Sequence, residues 1–217
     1  MREPLDVLLI ESHPGVGDAS ARVLAEAGHR VHRCHDAGDP SWVCVGLTDP
    51  SACPLEGHVD VAVLARAPGS TGPTPHEDGV RCAIRSRVPI VEVGLGARET
   101  DPVDGYAPWV TLHSHEAALD AACHAAVTLG NQRIVDAVLE RVVPLVAEAG
   151  LPPERTHATI SSHWPGLTLT VTIPGPADRR LEQAIGVRAY DALRLHTDGY
   201  STVDVNVDVE NPDRLLV

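Results

Sequence analysis

Short apolar runs and longer amphipathic stretches alternate along the first 130 residues. Residues 6–10 (D-V-L-L-I) form a continuous apolar run ending at E-S-H-P-G, the pattern of a strand buried on both faces. Val16, Ala19, Val23, Leu24 and Ala27 then fall on one side of a helix that Gly28 stops. A second strand is predicted over 29–35, a third over 59–65 (V-D-V-A-V-L-A), a fourth over 88–93 and a short fifth over 109–112. Helical segments at 77–86 and 115–128 lie between or after them. Strand alternating with helix predicts an α/β fold, a doubly wound parallel sheet with helices on both faces. Residues 38–58 and 67–76 are rich in Pro, Gly, Ser and Thr and read as loops, the first carrying a short strand or helix over 42–47.

The pattern changes at Gly130-Asn131, which predicts two domains, 1–130 and 131–217. Ile134, Val135, Val138, Leu139, Val142, Val143 and Val146 mark an amphipathic helix, with a bend expected at Pro144. Residues 167–173 (L-T-L-T-V-T-I) and 203–209 (V-D-V-N-V-D-V) alternate strictly, so each is a strand with one buried and one wet face. A partner strand over 157–161 and a helix over 177–196 complete a small α+β domain of order α-β-β-α-β.

Composition removes several function classes. The chain of 217 residues has a net charge of −13 and no Lys, so Arg carries all the fixed positive charge. Residues 1–130 hold 18 acidic residues against 9 Arg, and residues 131–217 hold 12 against 8. No basic stripe stands out in either half, so neither nucleic acid nor an anionic membrane is an expected partner. Five Cys with no C-x-x-C, and no signal-peptide pattern, predict reduced thiols and a cytoplasmic protein.

The stretch V-L-L-I-E-S-H-P, followed by a helix ending L-A-E-A-G-H-R-V, resembles the opening of a response-regulator receiver domain. The likeness continues through V-D-V-A-V-L-A and E-D-G-V-R-C-A-I-R-S-R-V-P-I-V-E-V-G and fades after Trp109, covering about residues 6–128. The resemblance implies a flavodoxin-like sheet. It also implies a phosphorylation pocket of an acidic pair holding a divalent cation, a strand-three Asp as phosphoacceptor, a Ser/Thr after strand four and a Lys after strand five. Here the acidic pair is Glu11-Ser12, the acceptor position is Ala65, the hydroxyl position is Gly94, and no Lys exists. A methyl group cannot form an acyl phosphate. The expectation is a scaffold that keeps the sheet and loses the chemistry at its carboxyl edge.

Three other constellations stand out in the sequence. Gly15-Val16-Gly17 with Asp36 faintly matches a dinucleotide fingerprint, but Gly15 lies beyond the strand, so a plain strand-to-helix turn is expected. Twelve His include His32 beside Cys34 on one strand face, His113 with His115, and Cys123-His124, none with zinc-site spacing; no metal and no cofactor are expected. Ser161-Ser162-His163 and Ser114-His115 lack a nucleophile elbow, so no catalytic residues are assigned.

The C-terminal order of elements is similar to the small domain of the alkaline-shock protein family, a likeness of pattern alone. Asp204 and Asp208 stand four residues apart on one strand face, about 13 Å, too far to cooperate in acid–base catalysis. The expected function is a phosphorylation-independent pseudo-receiver joined to a protein-interaction or self-association domain. The alternative is a small-ligand or nucleotide protein using the sheet edge at His13, Gly15, Gly17 and Arg66.

Overall fold

The computed structural model describes residues 3–35, 44–67, 72–94, 106–163, 166–197 and 200–210. The chain divides into two compact units, residues 1–130 and 131–217.

The first unit is α/β. Its strands β1 (Asp6–Glu11), β2 (Arg30–Arg33), β3 (Val61–Ala65), β4 (Ile90–Val93) and β5 (Val110–Ser114) form one sheet in the order β2-β1-β3-β4-β5. Every neighbouring pair is parallel. Helices α1 (Asp18–Glu26), α2 (Val45–Thr48), α3 (Asp78–Arg85) and α4 (Leu119–Glu148) follow β1, β2, β3 and β5. Alternation along each strand splits the core in two. Val7, Leu9, Val61, Val63, Ala65, Val91 and Val93 pack with Leu24 of α1 and with Leu119, Cys123 and Ala126 of α4. Leu8, Ile10, Ala62, Leu64 and Ile90 pack with Val80 and Ala83 of α3 and with Tyr106. Along β1, β3 and β4 both faces are dry, which is why these strands carry no regular polar alternation.

Several boundaries differ from the sequence expectation. The third strand begins at Val61, because Asp60 turns its carboxylate back to accept the Asp6 N–H at 2.8 Å. The fifth runs over 110–114 instead of 109–112, since Trp109 closes a 3-10 turn and is 55% exposed. The two helices expected around residue 130 are one: α4 passes uninterrupted through Gly130, Asn131 and Pro144. Of the element expected over 42–47, α2 is observed; residues 42 and 43 lie outside the described residues.

In the second unit, β6 (His157–His163) pairs antiparallel with β7 (Gly166–Pro174), and β7 pairs parallel with β8 (Thr202–Glu210). Helix α5 (Arg179–His196) makes the crossover, its start capped by the Asp178 side chain accepting the Leu181 N–H at 2.8 Å. Leu167, Leu169, Val171 and Ile173 of β7 pack with Ile185, Ala189 and Leu193 of α5 and with Val138, Val142 and Val146 of α4. Thr168, Thr170 and Thr172 stand in register with Asp204, Asn206 and Asp208 on the other face. Among the described residues no helix is long and apolar enough to cross a membrane.

Candidate functional site at the carboxyl edge of the parallel sheet

Strand β1 ends at Glu11, in register with Ala65 at the end of β3. The Glu11 carboxylate is buried and fully engaged. Oε1 accepts the Gly17 N–H at 2.7 Å, and Oε2 accepts from Arg33 Nη1 at 2.9 Å. Arg33 continues to Asp18 at 2.5 Å. A Cβ on Gly17 would stand 3.0 Å from side-chain atoms of Glu11 and Leu9, so glycine lets the turn close over the carboxylate without displacing them. Gly15, at φ +83°, supplies the left-handed residue of the same turn. Glu11 thus takes a backbone amide on one oxygen and a guanidinium on the other.

Ser12 is buried and acts as a fastener. Its N–H bonds Ala65 O at 2.8 Å, its Oγ accepts the Ala67 N–H at 2.8 Å, and its carbonyl accepts from Thr74 Oγ1 at 2.6 Å. His13 is exposed, with Nδ1 3.2 Å from Ser12 Oγ. Ala65 is 1% exposed and its methyl belongs to the core shared with α1 and α4. Gly94 has φ +102°, and a Cβ there would stand 2.5 Å from Arg66 O. No hydroxyl-bearing side chain fits at that position.

Arg66 corrects the sequence expectation. It was placed on a ligand-accepting edge, but its side chain is completely buried. Parity explains this: Ala62 and Leu64 face α3, so a side chain two residues on follows them inward. Nε lies 3.1 Å from Glu77 Oε1, Nη1 3.6 Å from Glu92 Oε1, and Nη2 donates to Gly72 O at 2.7 Å. Glu77 also accepts the Thr74 N–H at 2.9 Å in a capping box at the start of α3. Glu92, two residues after Ile90 on the same face, has Oε2 3.4 Å from His113 Nδ1. Burial pushes the Glu92 carboxyl above the ordinary value against the pull of Arg66 and His113. Burial likewise raises Glu77, opposed by the Thr74 hydrogen bond and by Arg66. Sequence reasoning missed this cluster; alternation along β3 and β4 was the signal that would have paired Arg66 with Glu92.

Among the described residues, the edge holds a depression of about 10 Å³ lined by Leu9, Glu11, Pro14, His35 and His76, room for one water molecule. Residues 68–71 and 95–105, which follow β3 and β4, lie outside the described residues.

Among the described residues, two His/Asp groups lie elsewhere in this unit, and in each a ligand atom is already engaged. His29, Asp120 and His124 are close enough to share an ion. His29 Nδ1, however, accepts the Leu5 N–H at 3.0 Å, which places the neutral ring's proton on Nε2, the atom 3.0 Å from Asp120. That atom has no lone pair to offer. In the group Asp6, His58 and Asp60, the Asp6 carboxylate already takes Arg30 and, at 2.9 Å, His32. Burial opposes ionisation of Asp6, but the bonds from Arg30 and His32 outweigh it and hold the carboxyl below its ordinary value.

No protein-family model matches the chain, and no curated protein matches it.

Proposed function

We propose that residues 1–130 form a flavodoxin-like pseudo-receiver that does not accept phosphate, and that the chain is a non-catalytic regulatory protein acting through protein contacts in the cytoplasm. The strand order 2-1-3-4-5 is that of flavodoxin-like sheets, whose ligands collect outside the carboxyl ends at the β1/β3 switch point. The observation that carries the reading is the state of Glu11. Facing a methyl group at Ala65, it spends both carboxylate oxygens on Gly17 and Arg33. Arg66 lies between Glu77 and Glu92 beneath the edge, in the manner of a structural network. Residues 131–217 are read as a small α+β partner domain for self-association or for a protein ligand. The strand β8 has a single neighbour in its sheet, β7, and presents Asp204, Asn206 and Asp208 to solvent.

Incubation of the chain with acetyl phosphate and Mg²⁺ tests the first part. No gain of a phosphoryl group is expected by intact mass, and a stable phosphorylated species overturns the reading. The alternative, a small-molecule protein using His13, Gly15 and the depression beside Glu11, is separated by thermal shift. A nucleotide or flavin that binds there raises the melting temperature, whereas the pseudo-receiver gives no shift.

A further inference from the structure

Strand β4 carries an acid into a dry interior. Glu92 stands in register with Leu64 of β3 on one side and with His113 of β5 on the other. Arg66, two residues past Leu64, brings a guanidinium to the same place, and Glu77 brings a second carboxylate. The side chains of Arg66 and Glu77 have no exposure and that of Glu92 has 1%, whereas that of His113 has 28%. Among these four, His113 is thus the member that reaches solvent.

Charge decides what this cluster must hold. Two buried carboxylates against one guanidinium leave a negative charge over, and a buried charge without a counterion is removed by taking up a proton. Directed bonds do not relieve it: Arg66 Nε and Nη1, Glu77 Oε1, both Glu92 oxygens and His113 Nδ1 are buried and make no hydrogen bond of good geometry among the described residues. Glu77 is the better-held acid, with the Thr74 N–H at 2.9 Å and Arg66 Nε at 3.1 Å. His13 also favours its charged form from beyond the end of β1. Glu92 has Arg66 Nη1 only at 3.6 Å, and on its other oxygen it meets a titratable ring, His113 Nδ1 at 3.4 Å. Burial raises the Glu92 carboxyl, Arg66 and His113 oppose this, and the Glu77 carboxylate raises it further. Asp78 and Arg81 of α3, which act on the neighbouring Tyr106, carry opposite charges and leave the count unchanged.

We propose that Glu92 and His113 hold one proton between them as a single site, and that its release through His113 is a pH-sensitive switch of the carboxyl edge. The proton is bonded to Glu92 Oε2 or to His113 Nδ1, and no other covalent bond changes when it leaves. With it the cluster is neutral; without it the cluster carries one negative charge. Arg66 then faces two bare carboxylates and is drawn toward Glu92, away from Gly72 O, which its Nη2 holds at 2.7 Å. Residues 72–74, fastened to Ser12 through Thr74 Oγ1, are loosened with it. The switch rests on this cluster and not on the pseudo-receiver reading.

An NMR titration of the folded full-length chain tests it, following the Glu92 carboxyl carbon, the His113 ring nitrogens and the Thr74 amide. Because coupled groups titrate as a pair, the Glu92 and His113 signals are expected to move in a common transition. The Thr74 amide, which donates to Glu77, is expected to follow the same transition. Glu92→Gln keeps the shape and removes the acid; His113 should then titrate alone, and the Thr74 response should be lost. His113→Gln, on the exposed side of the cluster, supplies a second arm, in which the Glu92 carbon should titrate at a pH displaced from that of the wild type. Separate transitions for Glu92 and His113 overturn the proposal. So do a Thr74 response that survives Glu92→Gln, or a Glu92 transition that His113→Gln leaves in place.

Discussion

The carbonyl oxygen of Arg66 stands 2.5 Å from the point a Cβ on Gly94 would occupy, with Gly94 at φ +102°. Two strand ends meet there through bare backbone, at the position where the receiver likeness expects a hydroxyl. Gly94→Ser should therefore not install a phosphate ligand. It combines a strained φ with a collision against main chain, and a loss of about 2–4 kcal/mol is expected in urea unfolding. An unchanged midpoint would show that the strand ends move apart easily.

Restoring a carboxylate at the acceptor position should also fail. Ala65 is 1% exposed and packs in the core shared with α1 and α4, while Glu11 opposite is held by Arg33. Ala65→Asp buries an unpaired acid beside an acid already engaged. The expected result is a destabilised chain, by about 3 kcal/mol or more, with no mass gain from acetyl phosphate and Mg²⁺. A folded, phosphorylated Ala65→Asp would mean that the remaining pocket is still functional.

The buried cluster sets a pH dependence whose sign follows from its direction. Glu77 and Glu92 are raised above 4.5 in the folded chain. From 4.5 up to the raised values the folded state retains protons that the unfolded state has released, so these two groups make stability fall as pH climbs through that window. Asp6 acts in the opposite sense. Its pKa is lowered from 3.8, so its contribution is complete above 3.8 and is lost as pH falls through the folded value. Glu92→Gln should flatten the decline above 4.5 and raise stability at pH 7. Arg66→Met, which strands two buried carboxylates, should cost about 3–5 kcal/mol at pH 7. Unfolding midpoints measured from pH 4 to 8 check both, and a Glu92→Gln curve parallel to wild type would contradict the assignment.

Cys123 reports on the integrity of the opposite face. It is fully buried, and burial pushes its thiol from 9.0 up to about 12. At pH 8 the thiolate fraction falls about 10³-fold relative to an ordinary thiol. In native protein Cys123 should resist iodoacetamide under conditions that modify it completely in urea, with peptide mapping as the readout. Rapid native labelling would place Cys123 outside a closed core.

The sequence by itself determined the apolar strands and their burial. A run such as V-L-L-I leaves no wet face, and strict alternation in V-D-V-N-V-D-V leaves one, because successive side chains point to opposite sides of a strand. It also places Ala65 and Gly94 where the receiver likeness would expect an acceptor and a hydroxyl, on a chain without Lys. Tertiary structure alone decided where long side chains and thiols end. Arg66 reads as an exposed edge residue until strand parity turns it inward to Glu77 and Glu92. Helix α4 runs on through Gly130, where local signals predict a boundary between two helices. Cys34 meets Gly79 of α3 across elements, a contact that no spacing in the sequence announces. Pattern records which face of an element is dry; which residues meet across elements depends on chain crossings that local sequence does not encode.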